Sequence, residues 1–456
     1  MKKTILSIVI SGLLLCTASL SIAEQGFVLK SPQTHFVASS SNEKNLGYQE
    51  RAKWTFMVYL NGDNDLEYVA TQSQGKIKWM EGVGSSDYLN IVYQFDALDL
   101  FEGTRRFYVN SNHTSELIEN MDEQNMGDPE TLIDFVSWAS SNYPAEKYCL
   151  VFLGHGCGWQ NGFCYDETSG KDYLSMSELK YAMNQINNHL GEKIDIVLFD
   201  SCLMAMTEVY YQLRDTVDIC IGSEALLYDR GCNYDLFLNE LKNNPQADAT
   251  TFARYIVNES ASYYSGCYMP VTISAISEED LTTTVTSKLD AFAILLIDHF
   301  STYKQEIKAA ITSTTSYNGG NNYQTHYKDL YNFTQEILKI IPDATIQQSA
   351  IELISALEGC IIEEQHYSYA GSHGISIYIP TFSLRYPYNA DYETLEISID
   401  THWDEFAKKS SMLFTNLVSS SSSMLSGSSW QSSPTQIIEN VIASYNIKTV
   451  SHLLQN

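Results

Sequence analysis

Ile196-Val-Leu-Phe-Asp200-Ser-Cys202-Leu-Met204 and Leu150-Val-Phe-Leu-Gly-His155-Gly-Cys-Gly-Trp159 are short apolar runs that end abruptly in reactive side chains. Runs of this kind read as parallel strands buried on both faces. In an open α/β sheet, ligands sit at the carboxyl ends of the strands, so the pattern brings His155 and Cys202 to one edge. A thiol and an imidazole at that edge are the minimum for a nucleophile and its proton-transfer partner. Cys202 follows His155 by 47 residues, the length of one crossover. Small neighbours on both sides let backbone N–H groups come close to a substrate.

The surrounding chain alternates strands with helices. Trp54-Thr-Phe-Met-Val-Tyr-Leu60 reads as a strand ending in the polar turn Asn61-Gly-Asp-Asn-Asp65, and Leu89 to Phe95 as a second. Arg105 to Val109 reads as an antiparallel addition. Asp128-Pro129 opens a helix with a capping acid and a proline at its first position. Ser175 and Glu178 have capping-box spacing before a helix that ends at Gly191. A helix is expected from about Leu203 to Leu213, which would set Cys202 at its N-terminus, where the dipole favours a thiolate. The strand Val217 to Ser223 follows. The fold class is therefore α/β, a mostly parallel sheet flanked by helices. Residues 51–276 form the core, and 277–407 a mainly helical C-terminal part, in which Gly374-Ile-Ser-Ile-Tyr-Ile379 could return to the sheet.

Lys2 and Lys3, an apolar stretch from Ile5 to Leu15, and Ser21-Ile22-Ala23 read as a secretory signal over residues 1–23. That stretch is too short to span a membrane, and no later segment is long and apolar enough to do so. An exported protein, periplasmic or secreted, is expected. Residues 24–50 read as a polar leader, 408–433 as a Ser-rich linker and 434–456 as an amphipathic terminal helix. The net charge of −28, from 55 acids and 27 bases, argues against nucleic acid and anionic membranes as partners. It favours basic ligands, although an acidic surface is more often simply a solubility device. Eight cysteines remain after the signal, an odd number once Cys202 is set aside as a nucleophile. Cys149, inside an apolar strand, reads as a small buried hydrophobe.

His155-Gly-Cys-Gly-Trp159 and Phe199-Asp-Ser-Cys-Leu-Met204, followed by Glu208, resemble the two catalytic motifs of the clostripain family of cysteine peptidases. Met126-Gly-Asp-Pro129, Tyr143-Pro-Ala145, Ile221-Gly-Ser-Glu224, Gly374-Ile-Ser-Ile-Tyr378 and the closing Trp403 and Phe406 match in the same order, over roughly residues 52 to 407. Ser201 stands where the family often has Ala, and Cys157 where a small residue without a thiol is usual. The resemblance implies a caspase-like fold and an endopeptidase whose Cys202 attacks the scissile carbonyl while His155 transfers protons. It points to the N–H groups of Gly156 and Cys202 as the oxyanion hole. No residue orienting His155 is identified.

The resemblance also implies peptide or protein substrates with a basic P1 residue. Asp200 is then the S1 acid, with Glu224 and Asp229 as weaker candidates; otherwise Asp200 caps the helix after it. Relatives mature by a cut between the catalytic strands, and the exposed polar loop around Lys171 suggests one between Lys171 and Asp172. The product would be a monomer or a processed two-chain form. No cofactor is required, with Ca2+ an option that the resemblance adds, and no residue is assigned to a metal. His155 and Cys157 are too loose a pair for zinc. Two other readings stay open: a catalytically silent binding protein, and a thiol transpeptidase or acyltransferase on the same fold.

Overall fold

The computed structural model describes residues 51–417 except 161, 229, 318–325 and 382–389. The signal, the leader, the terminal helix and most of the Ser-rich linker lie outside the described residues.

A nine-stranded sheet organises the chain. Its strands are β1 (Ala52–Gly62), β2 (Leu89–Ala97), β3 (Thr104–Val109), β4 (Ser115–Asn120), β5 (Ala145–Leu153), β8 (Ile194–Asp200), β9 (Val217–Gly222), β10 (Val271–Ser277) and β13 (Ile361–Tyr367). The order is β13-β10-β9-β8-β5-β1-β2-β3-β4. The five central strands, β9 to β2, run parallel. Both flanks are antiparallel. The mostly parallel α/β architecture expected from the sequence is what the chain adopts.

Strand alternation divides the core between two layers. Trp54, Phe56, Val58 and Leu60 of β1 point to one side with Cys149, Val151, Ile196 and Leu198, all buried. Helices α5 (Tyr234–Asn243) and α6 (Ala249–Gly266) cover that face through Phe237, Leu241, Phe252 and Ile256. On the other side Tyr59 packs on Phe135 of α2 (Pro129–Asn142), with ring centroids 5.9 Å apart. Asp128 caps α2 by accepting the Glu130 N–H, and Ser175 and Glu178 complete a capping box on α3 (Met176–Leu190). Such a cap is worth about 1 kcal/mol.

Four expectations are corrected. The helix placed from about Leu203 to Leu213 is only α4, Thr207–Tyr211. Leu203 has a left-handed φ of 63°, and the N–H groups of Leu203 and Ala205 donate to Ala225 and Ser223 carbonyls, so this stretch lies extended against the end of β9. The Gly374–Ile379 strand, β14 (Ser376–Tyr378), pairs with β12 (Tyr327–Asp329) in a small sheet completed by β11 (Ser316–Tyr317), not with the main sheet. The edge position goes instead to β13, which no sequence pattern marked. The polar interval before Ser175 folds into a hairpin, β6 (Phe163–Asp166) and β7 (Asp172–Leu174). The helix Trp403–Ser411 runs into the first residues assigned to the linker.

Candidate active site

Strand register brings the two reactive residues together. Leu153, the last residue of β5, pairs with Asp200, the last of β8. Two residues further along each chain stand His155 and Cys202, both partly exposed at the same sheet edge. Gly156 makes the close approach possible, since a Cβ there would lie 2.5 Å from the Cys202 carbonyl oxygen. The Cys202 Sγ sits against the chain leaving β9. It accepts the Leu227 N–H at 3.3 Å and approaches the Leu227 carbonyl at 3.5 Å. With α4 starting only at Thr207, the helix-dipole argument for a thiolate does not hold. The backbone N–H of Leu227 is the donor at hand.

His155 has an orienting partner. Its Nε2 lies 2.6 Å from Asp65 Oδ1, which leaves Nδ1 as the ring nitrogen available to the reaction. Burial pushes the Asp65 carboxyl up, but the hydrogen bond and charge of His155 outweigh it and hold the group below the usual carboxylate range. Sequence reading missed Asp65. The only signal was its place in the polar turn that ends β1, 90 residues before its partner.

The segment after Cys202 is tied to the C-terminal part. The Ser376 N–H donates to Ala205 O at 3.0 Å, and the Thr207 hydroxyl to Ser376 O at 3.0 Å. Fully buried Glu208 accepts the Tyr378 N–H at 2.7 Å and the Tyr392 hydroxyl at 2.6 Å. Burial pushes its carboxyl up to about 7 against those bonds.

Of the three acids expected at S1, the two described, Asp200 and Glu224, are both buried. The Asp200 carboxylate is fully buried and pairs with the ammonium of Lys76, on α1 (Lys76–Val83), at 2.5 Å. It also accepts the Cys232 N–H at 2.8 Å and the Tyr234 hydroxyl at 2.9 Å. Lys76 Nζ reaches the Cys232 carbonyl at 2.5 Å and lies 4.1 Å from the centre of the Tyr234 ring. Gly231 closes directly over the carboxylate, for a Cβ there would be 2.1 Å from Asp200 Oδ1. Asp200 is thus sealed in a buried ion pair, neither open to a P1 side chain nor capping a helix. Glu224 is buried too and accepts the Gly374 N–H at 3.1 Å. Burial, then the charge of Asp329, push its carboxyl up. It faces the β12 side, not an open pocket. Asp229 lies outside the described residues.

Lys171 and Asp172 are exposed at the hairpin turn, and Lys171 has a left-handed φ of 66°. Beside the hairpin lies a feature the sequence reading did not assign. Asp63, Asp96, Glu123 and Asp166 each bring one oxygen within 4.8 Å of the others. Burial first, then the charge of Glu123, push Asp96 up to about 8. No disulfide links any of the eight described cysteines, and Cys149 is a core residue as expected.

The clostripain family model matches residues 58–420. The chain belongs to this family. Clostripain of Hathewaya histolytica is 30% identical over 242 residues, covering 45% of this chain and 44% of clostripain. The matched chain thus spans less than half of that relative's length. Among solved structures, a secreted C11 cysteine protease of Bacteroides thetaiotaomicron, bound to an irreversible peptide inhibitor, superposes with a TM-score of 0.59. It is 21% identical, over 78% of this chain and 99% of that one. An inactive zymogen C11 protease of Parabacteroides distasonis gives 0.58 at 21% identity, over 77% and 98%. At that identity the two structures establish the clostripain-family fold, and the family model establishes membership.

Proposed function

We propose that this chain is an exported cysteine endopeptidase that cuts after arginine and lysine and matures by cutting itself between Lys171 and Asp172. The observation that carries the reading is the equal reach of His155 and Cys202 past paired strand ends, with Asp65 behind the imidazole. The Cys202 sulfur attacks the scissile carbonyl carbon and the thiol proton passes to His155. The developing oxyanion turns toward the N–H groups of Gly156 and Cys202. The C–N bond breaks as His155 returns the proton to the leaving amine, leaving a thioester. Water, deprotonated by His155, then attacks the thioester and releases the acid and the free thiol. Asp65 is a positioning residue that steadies the imidazolium in both halves. No step routes through a metal.

A basic P1 residue is supported by family membership, by the acidic balance of the chain, and by the chemistry around Asp200. That carboxylate already binds a primary ammonium on a four-carbon stem. In this reading a P1 lysine or arginine takes the place of Lys76 when Gly231 and its neighbours open. Export is supported by residues 1–23. Among the described residues no helix is long and apolar enough to cross a membrane. Self-processing is supported by the exposure of Lys171 and Asp172 at the turn of the hairpin.

Purified protein incubated with peptides varied at P1 is expected to cleave after Arg and Lys at least about 100-fold faster than after Leu or Glu. The same preparation should acquire a new N-terminus at Asp172. Cleavage after apolar residues only would refute the S1 reading and leave the nucleophile intact. A fully active chain that never shows Asp172 as a terminus would refute the self-processing.

A further inference from the structure

The chain leaving β9 runs past the nucleophile and then lines a cavity to which the chemistry above gives no role. Leu227 meets the Cys202 sulfur with its N–H at 3.3 Å and its carbonyl at 3.5 Å. Tyr228, the next residue, lines a cavity of about 230 Å³ together with Arg230, Tyr263, Tyr264, Cys267 and Met269.

The end of α6 shapes this cavity. The Tyr268 N–H donates to Ser265 O and the Met269 N–H to Tyr264 O, each at 3.0 Å, the bond pair of a Schellman cap. Glycine is usual at the left-handed position of such a cap; here it is Tyr268, with a φ of 57°. The chain turns away from the helix there, so Cys267 and Met269 line the cavity beside the last tyrosines of α6. The buried Tyr264 donates its hydroxyl to Tyr228 O at 3.2 Å, and the two ring centres are 6.5 Å apart. Burial, then the charges of Cys232, Asp200 and Cys202, push the Tyr264 phenol up, so this wall feels both the nucleophile and the S1 acid.

Most of the lining is aromatic ring and sulfur. Arg230, the only cation in it, donates to Gln74 Oε1 at 2.7 Å and to the Tyr263 hydroxyl at 3.3 Å. Tyr228 and Met269 stay 44% and 39% exposed. Apolar surface gathered in a hollow beside a reactive group, rather than scattered singly, marks a place that a ligand covers. The volume suits one side chain, not a whole small-molecule ligand.

We propose that this cavity is the S2 subsite and takes a large apolar P2 side chain, leucine or phenylalanine. A peptide laid beside residues 226–228 as an added strand advances one residue, about 3.3 Å, for each residue of the wall. With the P1 carbonyl at Cys202, beside Leu227, P2 stands beside Tyr228. Tyr228 O also accepts the Gly231 N–H at 2.8 Å, so the cavity wall belongs to the turn that closes over Asp200. The proposal rests on the peptidase reading and deepens it: the P1 residue selects the bond, and P2 sets how fast it is cut.

The test holds arginine at P1 and varies P2 in acetyl-Ala-X-Arg aminomethylcoumarin substrates, using the purified full chain. Leucine and phenylalanine should give kcat/KM at least about 10-fold above glycine, with glutamate below glycine. Tyr228→Ala and Met269→Ala, both changes of partly exposed side chains, should shrink the leucine-to-glycine ratio to within about threefold. A second readout needs no turnover. Acetyl-Leu-Arg and acetyl-Gly-Arg acyloxymethyl ketones each cap Cys202 and leave Cys267, an exposed thiol of the cavity lining, as the probe. Iodoacetamide should label Cys267 at least about 5-fold more slowly in the leucine adduct than in the glycine adduct. Cleavage after arginine at rates within about twofold for every P2 residue would overturn the subsite and leave the peptidase reading standing. A preference for glutamate at P2 would overturn its apolar character. No cleavage of any peptide and no ketone adduct would overturn the peptidase reading, and the subsite with it.

Discussion

Cys202→Ala is expected to lose at least about 10⁴-fold in kcat/KM, with His155→Ala losing about 10³- to 10⁴-fold and Asp65→Asn about 10²-fold. The grading follows from what each group touches. In the proposed mechanism Cys202 forms the covalent bond and His155 moves the proton, a role water fills poorly. Asp65 acts only through the 2.6 Å contact to His155 Nε2, so its loss should lower kcat and leave KM within about twofold. The sign with pH follows from its lowered pKa. Asp65 stays a carboxylate from neutrality down to that depressed value, and the pair is lost only as pH falls through it. Steady-state kinetics on one Arg-P1 peptide measures all three variants. A Cys202→Ala enzyme with wild-type turnover, or an Asp65→Asn enzyme whose KM alone changes, would contradict these roles.

Breaking the Lys76–Asp200 pair by replacing one partner should destabilise the fold by about 3–5 kcal/mol, because the other charge stays buried without a counter-ion. Both side chains are at most 1% exposed, so solvent screens almost nothing. Lys76→Met leaves Asp200 with the Cys232 N–H and the Tyr234 hydroxyl only. Asp200→Leu leaves an ammonium over the Tyr234 ring. The double replacement Lys76→Met with Asp200→Leu should recover most of the loss, since apolar residues of similar volume substitute well for a buried pair. Activity separates the two jobs assigned to Asp200. The double variant should regain stability yet still cleave after arginine at least about 100-fold more slowly than wild type. Denaturant unfolding and P1-varied peptides give both readouts. Basic-P1 cleavage at wild-type rate in the double variant would make Asp200 an anchor alone.

Local patterns in the chain revealed His155 and Cys202 because each is delivered by its own strand end. The apolar run, the small flanking residues and the crossover length are all local features. Asp65 and Lys76 were hidden because their partners lie 90 and 124 residues away in the chain. Nothing in the composition of α1 distinguishes Lys76 from an ordinary surface lysine. The overlong helix after Cys202 has a physical cause. Leu203 to Leu213 is apolar enough to suit either a helix or a buried extended segment. Tertiary pairing with the end of β9 and with Ser376 decided it. The carboxylate cluster draws on four separate segments, and only the acidic turn after β1 hinted at it.

The most direct measurement is mapping of the covalent adduct formed by a peptidyl acyloxymethyl ketone with arginine at P1. On the purified full chain, intact mass should show one inhibitor per molecule. Peptide mapping should place it on Cys202 and on none of the other seven described cysteines, with labelling absent in Cys202→Ala and slowed in His155→Ala. A stoichiometric adduct on another residue, with hydrolysis lost in step, would contradict the account.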